Sequence, residues 1–243
     1  MKILLAPAET KQSGGDNQAL DINTLYDFQQ NILKYYEKQI ENSSIEELSL
    51  WFGLKNLKDV QKYKRSLKDL PTLKAIQRYT GVAFEAISYN DLDTKAQEYI
   101  NNNVYIYSNL FGIIKADFLI PEYKFKQGAI LSQIDNIKYY KENLKDILDN
   151  ELGDEILDLS ASHYTKYYKP STNVITFKFL KDGKVVSHWA KHYRGEMVKQ
   201  IAINNINSFE KLLNYKFDGL EVQEIQEKKN IKTIVMNITK EGK

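Results

Sequence analysis

Residues 184–205 read KVVSHWAKHYRGEMVKQIAINN, and the spacing of their apolar side chains changes halfway along. The side chains at 185, 187 and 189 would share one face of an extended chain, so 184–190 is predicted to be a strand. From Glu196 onward, Met197 and Ile201 fall at helical spacing, which predicts a helix. Because one short stretch supplies both a strand and a helix, the chain is predicted to mix the two kinds of element.

The predicted joint between this strand and this helix is rich in groups that carry or accept a proton. Lys191, His192, Arg194 and Gly195 lie there. The first turn of a helix has unpaired N–H groups and a partial positive charge, which favour an anion. We therefore predict an anion site in which Gly195 admits the ligand and Lys191 and Arg194 add charge. The alternative is that Arg194 pairs with Glu196 or another carboxylate.

The rest of the chain supplies helices and strands in an irregular order. Short strands are predicted at 2–6, 104–107 and 156–159, and a hairpin over 174–190 turns at Asp182 and Gly183. Helices are predicted over 22–40, 45–51, 57–67, 72–79, 91–102 and 139–152, and further strands at 118–125, 220–226 and 231–238. Without a regular βαβ alternation, the fold class is interpreted as α+β, in one compact domain over residues 1–243 whose mixed sheet is flanked by helices.

The composition excludes several classes of chemistry. The chain has 243 residues and no cysteine, which rules out disulfides, thiolate zinc sites, thiol nucleophiles and cysteine-ligated clusters. No apolar run approaches the roughly 18 residues of a membrane span. The N-terminal MKILLAPAETK is too short for a signal peptide, so a cytoplasmic location is expected and no membrane partner is predicted.

The net charge of +2 conceals two basic segments. Residues 55–78 hold eight Lys and Arg against two Asp, and residues 160–200 hold eight Lys and Arg against one Asp and one Glu. The rest of the chain is therefore acidic. Concentrated positive charge of this kind is typical of proteins with an anionic partner. The alternative is that both segments are solvated faces.

Residues 45–67, IEELSLWFGLKNLKDVQKYKRSL, have the outline of a helix-hairpin-helix. An apolar helix would reach Gly53, and a second helix would follow the turn. In such hairpins backbone amides at the start of the second helix grip a DNA phosphate. Lys55 and Lys58 would then contact the DNA backbone, together with the lysines that follow them. An ordinary turn between two helices is the alternative.

Glu9 and Lys11 follow the first predicted strand, at the sheet edge where α/β proteins usually place ligands. The pair is a candidate catalytic acid and Schiff-base amine, and a plain salt bridge is the alternative.

The three histidines do not predict a metal site. His188 and His192 would lie about 13 Å apart along a strand, too far to share an ion, and His163 has no evident second ligand. No phosphate-binding loop, dinucleotide fingerprint or nucleophile elbow is present, so no cofactor is predicted.

Five stretches together resemble the YaaA family of peroxide-stress-resistance proteins. They are MKILLAPAETK, RYTGVAFEAI, YSNLFGIIKADFLIPEYKFKQG, LDLSASHYTKYYKP and WAKHYRGEMVKQ. The resemblance implies a single-domain α+β fold with a helix-hairpin-helix and a basic cleft. It also implies binding of duplex or branched DNA, with a role in hydrogen peroxide resistance and DNA repair. No enzymatic reaction is implied.

The resemblance carries over to individual polar positions of this chain. They are Glu9, Lys11, Arg78, Tyr79, Gly81, Ser108, Gly112, Asp117, Pro121, Tyr123, Ser160, Tyr164, Lys166, Lys191, Arg194 and Gly195. Two segments depart from the family pattern. PAET stands where many members read PAKT, and SNLFGIIKA stands where SGLYGVLRP is usual. Ligand preference is therefore expected to differ if these segments line a pocket.

Three hypotheses of function follow. The leading one is a DNA-binding protein of the oxidative stress response that holds phosphates without base preference; its predicted anion-binding residues are Lys55, Lys58, Arg78, Lys166, Lys191, Arg194 and Gly195. The second is an enzyme acting on a nucleobase or nucleoside in a pocket around Lys11, Lys166 and Arg194, with Glu9, Lys11, Tyr164 and Lys166 as catalytic candidates. A small-molecule ligand would fit that hypothesis. Iron sequestration is the weakest of the three. A closed pocket would favour the enzyme and an open groove would favour DNA binding.

Overall fold

The computed structural model describes residues 1–131, 134–160 and 163–240. Its strands are β1 (Lys2–Leu5), β2 (Asn17–Ala19), β3 (Pro71–Lys74), β4 (Val104–Ser108), β5 (Gly112–Lys115), β6 (Leu119–Pro121), β7 (Glu155–Leu159), β8 (Asn173–Lys181), β9 (Lys184–Val185), β10 (Leu220–Lys228) and β11 (Ile231–Ile238). Its helices are α1 (Asp27–Asn42), α2 (Ile45–Phe52), α3 (Leu57–Tyr63), α4 (Ala75–Arg78), α5 (Val82–Ile87), α6 (Thr94–Asn103), α7 (Asn136–Leu152), α8 (Ser187–Ile203) and α9 (Phe209–Asn214).

A mixed sheet forms the centre of the fold, with the strand order β10-β11-β8-β7-β1-β4-β5 and β9 paired to β8. The five strands from β11 to β4 run parallel, and β10 and β5 are antiparallel to their neighbours. Central parallel strands are covered on both faces, so they read as apolar runs. Ile3, Leu4 and Leu5 of β1 are accordingly buried.

A second sheet of three short antiparallel strands, β2-β3-β6, lies apart from the central one. Thr72 of β3 pairs with Asn17 and with Pro121. The chain that follows β1 lies close to the chain that follows β3. Lys11 in the first segment and Tyr79 in the second form an antiparallel backbone bridge.

Helices flank the central sheet, and the longer ones bury an apolar stripe. α1 buries Phe28, Ile32 and Tyr36, and α7 buries Tyr140 and Leu144. The interpretation of the fold as one domain with a mixed sheet flanked by helices is confirmed. None of the helices within the described ranges combines the length and the apolarity that a membrane span needs.

Two predicted elements are wrong. The strand predicted over 184–190 ends at Val185 as β9, and residues 187–190 form the first turn of α8. Residues 72–74 belong to β3, so the helix predicted over 72–79 shrinks to α4. Both stretches are short, and short apolar patterns fit either period.

Candidate functional site

The topology places a crevice between β1 and β7. These strands are parallel neighbours, and Leu5 at the end of β1 is level with Leu159 at the end of β7. The next strand of this sheet after β1 is β4, which lies on one side of the β1–β7 pair. The next strand after β7 is β8, which lies on the other side. Where connections depart in opposite directions, the carboxyl ends of the two strands leave room for a ligand.

A cavity of about 340 Å³ lies at this point. We call it the switch-point cavity, and its walls come from five parts of the chain. They are residues 5–10 after β1, residues 80–84 at the start of α5, Leu159 and Tyr164 after β7, and Lys191 and Arg194 on α8, together with Gln127. This size is at the lower end of the range for small-molecule pockets.

Arg194 supplies the most constrained charge in the cavity wall. Its side chain is half-buried, with the guanidinium carbon 5.9 Å from the centre of the Phe179 ring. It makes no hydrogen bond or ion pair with the residues that the structure describes. Burial lowers the pKa of Arg194, and the charge of Asp158 opposes that change. The guanidinium stays charged at any ordinary pH, because even a lowered arginine pKa remains high.

Asp158 is the acidic group that faces Arg194. Burial raises the pKa of Asp158, while hydrogen bonds from Ser160 and the charge of Arg194 oppose the rise. The backbone N–H of Ser160 donates to its carboxylate at 2.8 Å. Asp158 therefore offsets part of the charge of Arg194 without occupying its N–H groups.

Lys191 precedes Arg194 by one turn of α8, so both side chains lie on the same side of the helix. Lys191 is exposed, whereas Tyr164 on the opposite wall is buried. Burial raises the pKa of Tyr164, so its hydroxyl is neutral and can donate a hydrogen bond.

Glu9 lies at the rim of the cavity and does not pair with Lys11. Its Oε1 accepts a hydrogen bond from the backbone N–H of Gln127 at 3.0 Å, and its Oε2 lies 3.9 Å from the ammonium of Lys124. The salt bridge that was the alternative for Glu9 and Lys11 is therefore absent from the described contacts.

Lys11 lies beside the cavity and is not part of its lining. Its ammonium nitrogen is 4.3 Å from the centre of the Tyr123 ring and 5.1 Å from that of Tyr79. Burial lowers the pKa of Lys11 to about 7.

The predicted anion site at a helix start is wrong. α8 begins at Ser187, so the backbone around Lys191 and Gly195 lies inside the helix, where N–H groups bond to earlier carbonyls. Gly195 instead allows α8 to cross α5, because a Cβ on it would lie 2.1 Å from the carbonyl oxygen of Ala83. Lys191 and Arg194 still face a common site, although their side chains rather than the helix terminus supply its charge.

Arg78 has a structural role in place of the predicted contact with DNA. Its side chain is fully buried. Nε donates to the carbonyl of Ile120 at 3.2 Å, Nη2 donates to that of Pro71 at 3.1 Å, and Nη1 donates to that of Gln12. The guanidinium thus ties three chain segments together and is not presented to a surface.

The outline of α2 and α3 agrees with the sequence, because Gly53 ends α2 in the left-handed conformation at φ 68°. Asn56 caps α3 and accepts from the N–H of Lys58, so that amide is already used. The side chains of Lys55 and Lys58 are exposed and lie outside the lining of the switch-point cavity. The helix-hairpin-helix role stays a prediction.

Much of the basic segment 55–78 has partners within the protein. Lys62 and Arg65 pair with the buried Glu122 at 2.9 and 3.2 Å. Lys64 donates to the carbonyl of Ser43. This segment therefore offers an outside anion less positive charge than its composition suggests.

Lys166 ends a short helical turn, Tyr164–Lys166, where it is exposed and does not line the cavity. Of the predicted site residues, the structure brings Glu9, Tyr164, Lys191 and Arg194 to one cavity, and leaves Lys11 and Lys166 outside its lining. Ala161 and Ser162 of the SASHYTKYYKP stretch lie outside the described residues.

The histidines occupy different elements from those predicted. His188 and His192 lie four apart on α8, so the spacing calculated for a strand is wrong. Both pack edge-on against Trp189, with ring centres 6.2 Å away. Within the described ranges no three His, Asp or Glu side chains are grouped so that they could hold a metal ion.

Sequence reasoning missed Asp158 and Gln127, and of the segment 80–84 it singled out Gly81 alone. Asp158 is the one polar residue inside the apolar strand ILDL, and that interruption was the available signal. Gln127 has no such signal, because only the folded chain brings it to the end of β1.

The fold and the cavity define a class: an α+β protein whose mixed sheet has a cavity, lined in part by Lys191 and Arg194, at the carboxyl ends of β1 and β7. Residues 1–226 match the family model described as peroxide stress protein YaaA, and the chain belongs to that family. An uncharacterised protein of Campylobacter jejuni is 41% identical over 98% of this chain and 99% of its own. UPF0246 proteins of Fusobacterium nucleatum and Corynebacterium glutamicum are 28% and 31% identical, over 95% and 84% of this chain and 97% and 86% of theirs.

Proposed function

We propose that this protein serves the peroxide-stress response by binding a small phosphate-bearing ligand of nucleotide type in the switch-point cavity. The observation that carries the proposal is Arg194. Its half-buried guanidinium faces the cavity with no bonding partner among the described residues. A desolvated guanidinium is costly unless an anion meets it, and its planar fork suits a phosphate.

The neighbours of Arg194 favour a ligand with both an anionic end and an uncharged end. Lys191 adds a second positive charge at the exposed side of the cavity. Pro7, Val82 and Phe84 line the rest with apolar surface, and Tyr164 offers a neutral hydroxyl. A phosphate at Arg194 and Lys191, with a nucleoside against the apolar wall, satisfies both ends.

The size of the cavity favours a small ligand over a duplex as its occupant. A volume of about 340 Å³ holds a small molecule and excludes a double helix. Turnover of a nucleobase or nucleoside is the enzymatic extension of this proposal, with Tyr164 and Glu9 as the residues nearest to such a substrate. Lys166 is not required for it.

DNA binding is the second candidate function, and it concerns a different part of the molecule. Lys55 and Lys58 are exposed at the turn between α2 and α3, and their ammonium groups have no partner among the described residues. Two such lysines would give a weak and salt-dependent interaction with the phosphate backbone. A role in protecting or repairing DNA under peroxide would follow from this surface.

Isothermal titration calorimetry tests the leading proposal, using nucleoside monophosphates, the matching nucleosides and inorganic phosphate. We expect the nucleotides to bind and the nucleosides to bind at least about tenfold more weakly. Arg194→Ala should weaken nucleotide binding by about 10- to 100-fold, since a charge-assisted pair is lost. Lys95→Ala, at an exposed lysine of α6, is the matched control and should change nothing. Equal affinity in Arg194→Ala, or no binding of any phosphate compound, would refute the proposal.

A further inference from the structure

Lys11 is held in one place by its backbone. It forms an antiparallel bridge with Tyr79, and the N–H of Gln12 donates to the carbonyl of Arg78 at 2.8 Å. These contacts fasten the segment after β1 to the segment after β3. The side chain of Lys11 therefore starts from a fixed point.

Two tyrosine rings enclose the end of that side chain. The nitrogen lies 4.3 Å from the centre of the Tyr123 ring and 5.1 Å from that of Tyr79. The two hydroxyls are hydrogen-bonded to each other at 2.8 Å, and the hydroxyl of Ser108 lies 2.8 Å from that of Tyr123. Because the rings are locked in this way, they replace the water that a lysine normally gathers around its ammonium.

The carboxylates nearest to Lys11 are committed elsewhere. Glu9 accepts from the N–H of Gln127 and lies near Lys124. Glu122 is bound by Lys62, Arg65 and the hydroxyl of Tyr63. None of the described carboxylates lies within ion-pair distance of the Lys11 nitrogen.

The two ring faces favour the ammonium form, but burial and the charges that face Lys11 disfavour it on balance. Burial has the largest effect on its pKa, Lys124 and Arg78 lower it further, and Glu9 and Glu122 act in the opposite direction. The resulting pKa is about 7, so close to half of the side chain is a free amine at neutral pH. A free amine is a nucleophile, whereas an ammonium is not.

We propose that Lys11 is a covalent site for small aldehydes, which it binds as a Schiff base. The lone pair of Nζ attacks the carbonyl carbon, and the carbonyl oxygen takes up a proton to give a carbinolamine. Loss of the nitrogen-bound proton and of the hydroxyl as water then forms the C=N bond. No oxidant or reductant is required, and water reverses the reaction.

The half-buried setting of Lys11 limits the aldehyde to a small one. Tyr79 and Tyr123 offer ring faces rather than hydrogen-bond acceptors, so an unbranched aliphatic aldehyde suits the site. The inference stands on the surroundings of Lys11, which is not part of the switch-point cavity lining, and it does not depend on nucleotide binding there.

Reductive trapping tests the proposal on the wild-type protein. The protein is incubated with acetaldehyde and cyanoborohydride at about pH 7, where both lysine forms of Lys11 are present. Peptide mass spectrometry then measures the rate of ethylation at each lysine. We expect Lys11 to react at least about tenfold faster than the exposed Lys55, because a lowered pKa leaves more of the free amine at that pH. Modification of Lys11 at the rate of Lys55 or below, including none, would overturn the proposal.

The pH dependence of the modification rate is a second measurement. It separates a lowered pKa from simple exposure, because exposure alone does not shift the pH at which the rate rises. The rate at Lys11 should reach half of its plateau near pH 7. An amine with the ordinary lysine pKa would still gain rate at about pH 9. Lys11→Arg should abolish the fast phase and leave the other lysines unchanged. A Lys11 rate that rises only in parallel with that of Lys55 would contradict the inference.

Discussion

Gly195 of α8 lies directly against the backbone of Ala83 in α5, with room for a hydrogen and none for a methyl group. A Cβ on Gly195 would lie 2.1 Å from the carbonyl oxygen of Ala83 and 2.8 Å from the Cβ of Ala86. This contact sets the distance between the two helices that carry Lys191, Arg194 and the segment 80–84. The shape of the switch-point cavity therefore depends on a glycine that never touches a ligand.

Gly195→Ala should destabilise the protein by about 2–4 kcal/mol, because the added methyl group forces α5 and α8 apart. Helix propensity alone would make alanine more stable than glycine here by about 1 kcal/mol. A net loss of stability can therefore be assigned to the steric clash. Urea unfolding measures it. Ser187→Ala, in the exposed first turn of the same helix, is the control and should stay within about 0.5 kcal/mol. A stabilised Gly195→Ala protein would show that the helices are not in contact here.

Arg78→Lys should cost about 2–4 kcal/mol, although it keeps the positive charge. The planar guanidinium donates to three backbone carbonyls, and an ammonium on a shorter side chain cannot reach all of them. Urea unfolding gives the loss, and calorimetry on the folded variant should show nucleotide affinity within about twofold of wild type, since Arg78 does not line the cavity. Unchanged stability with weakened DNA binding would instead return Arg78 to its predicted role.

The sequence predicts well those parts of the fold in which the apolar pattern matches a single element type and its burial. The run Ile3–Leu5 and the run ILDL are buried parallel strands, and the helix over 139–152 lies within α7. Glu9, Tyr164 and Arg194 reach one cavity because the first two follow the carboxyl ends of β1 and β7, where topology gathers side chains.

The stretch 184–190 shows why the rest could not be predicted. Its alternating pattern is typical of a strand, but Val185 and His188 are exposed in the structure and carry no information about a buried face. Ala190 and Tyr193 are buried against the fold, which decides in favour of the helix. Likewise, composition counts Arg78, Lys62 and Arg65 as positive charges that a ligand could use. It does not reveal that Arg78 donates to backbone carbonyls or that Lys62 and Arg65 pair with Glu122.

Glu122→Gln should destabilise the protein at neutral pH by about 1–3 kcal/mol. Burial acts to raise the pKa of Glu122, but hydrogen bonds and charge from Lys62, together with Tyr63 and Arg65, outweigh it, and the net pKa is lowered. Lys62 and Arg65 are each about 40% exposed or more, so water weakens both ion pairs and keeps the effect at this scale.

The same carboxylate predicts a direction for stability against pH. A carboxyl whose folded pKa is lowered stabilises the fold above its unfolded pKa of about 4.3, and this contribution is lost as pH falls through the folded value. Unfolding free energies of wild type and Glu122→Gln should therefore differ most near neutral pH and converge in acid. Glu46→Gln, at an exposed site, is the control. A difference that is constant down to low pH would exclude the ion pairs as its cause.

Lys11→Met should stabilise the protein at about pH 6, because an apolar side chain replaces an amine whose protonation is disfavoured by burial. The folded pKa of Lys11, about 7, lies below its ordinary value of 10.5, so the unfolded state binds more protons between these two values. The wild type therefore gains stability as pH rises through that window, and the advantage of Lys11→Met shrinks. Thermal unfolding from about pH 6 to about pH 9 measures the trend; an advantage that grows with pH would contradict it.

Replacing Lys55 and Lys58 together by alanine should separate the two candidate functions. Both side chains are exposed on the α2–α3 turn and neither lines the switch-point cavity. Nucleotide affinity measured by calorimetry should therefore stay within about twofold of wild type. Any binding of duplex DNA in a gel-shift assay should weaken, and the slope of log affinity against log salt concentration should become shallower by about two units. Alanine at the exposed Lys95 and Lys141 removes the same charge elsewhere and controls for net charge. If the Lys95 and Lys141 double variant lowers DNA retention as much as the Lys55 and Lys58 double variant, the α2–α3 turn has no special role. If the Lys55 and Lys58 double variant instead loses nucleotide binding, the ligand site is not the one that Arg194 faces.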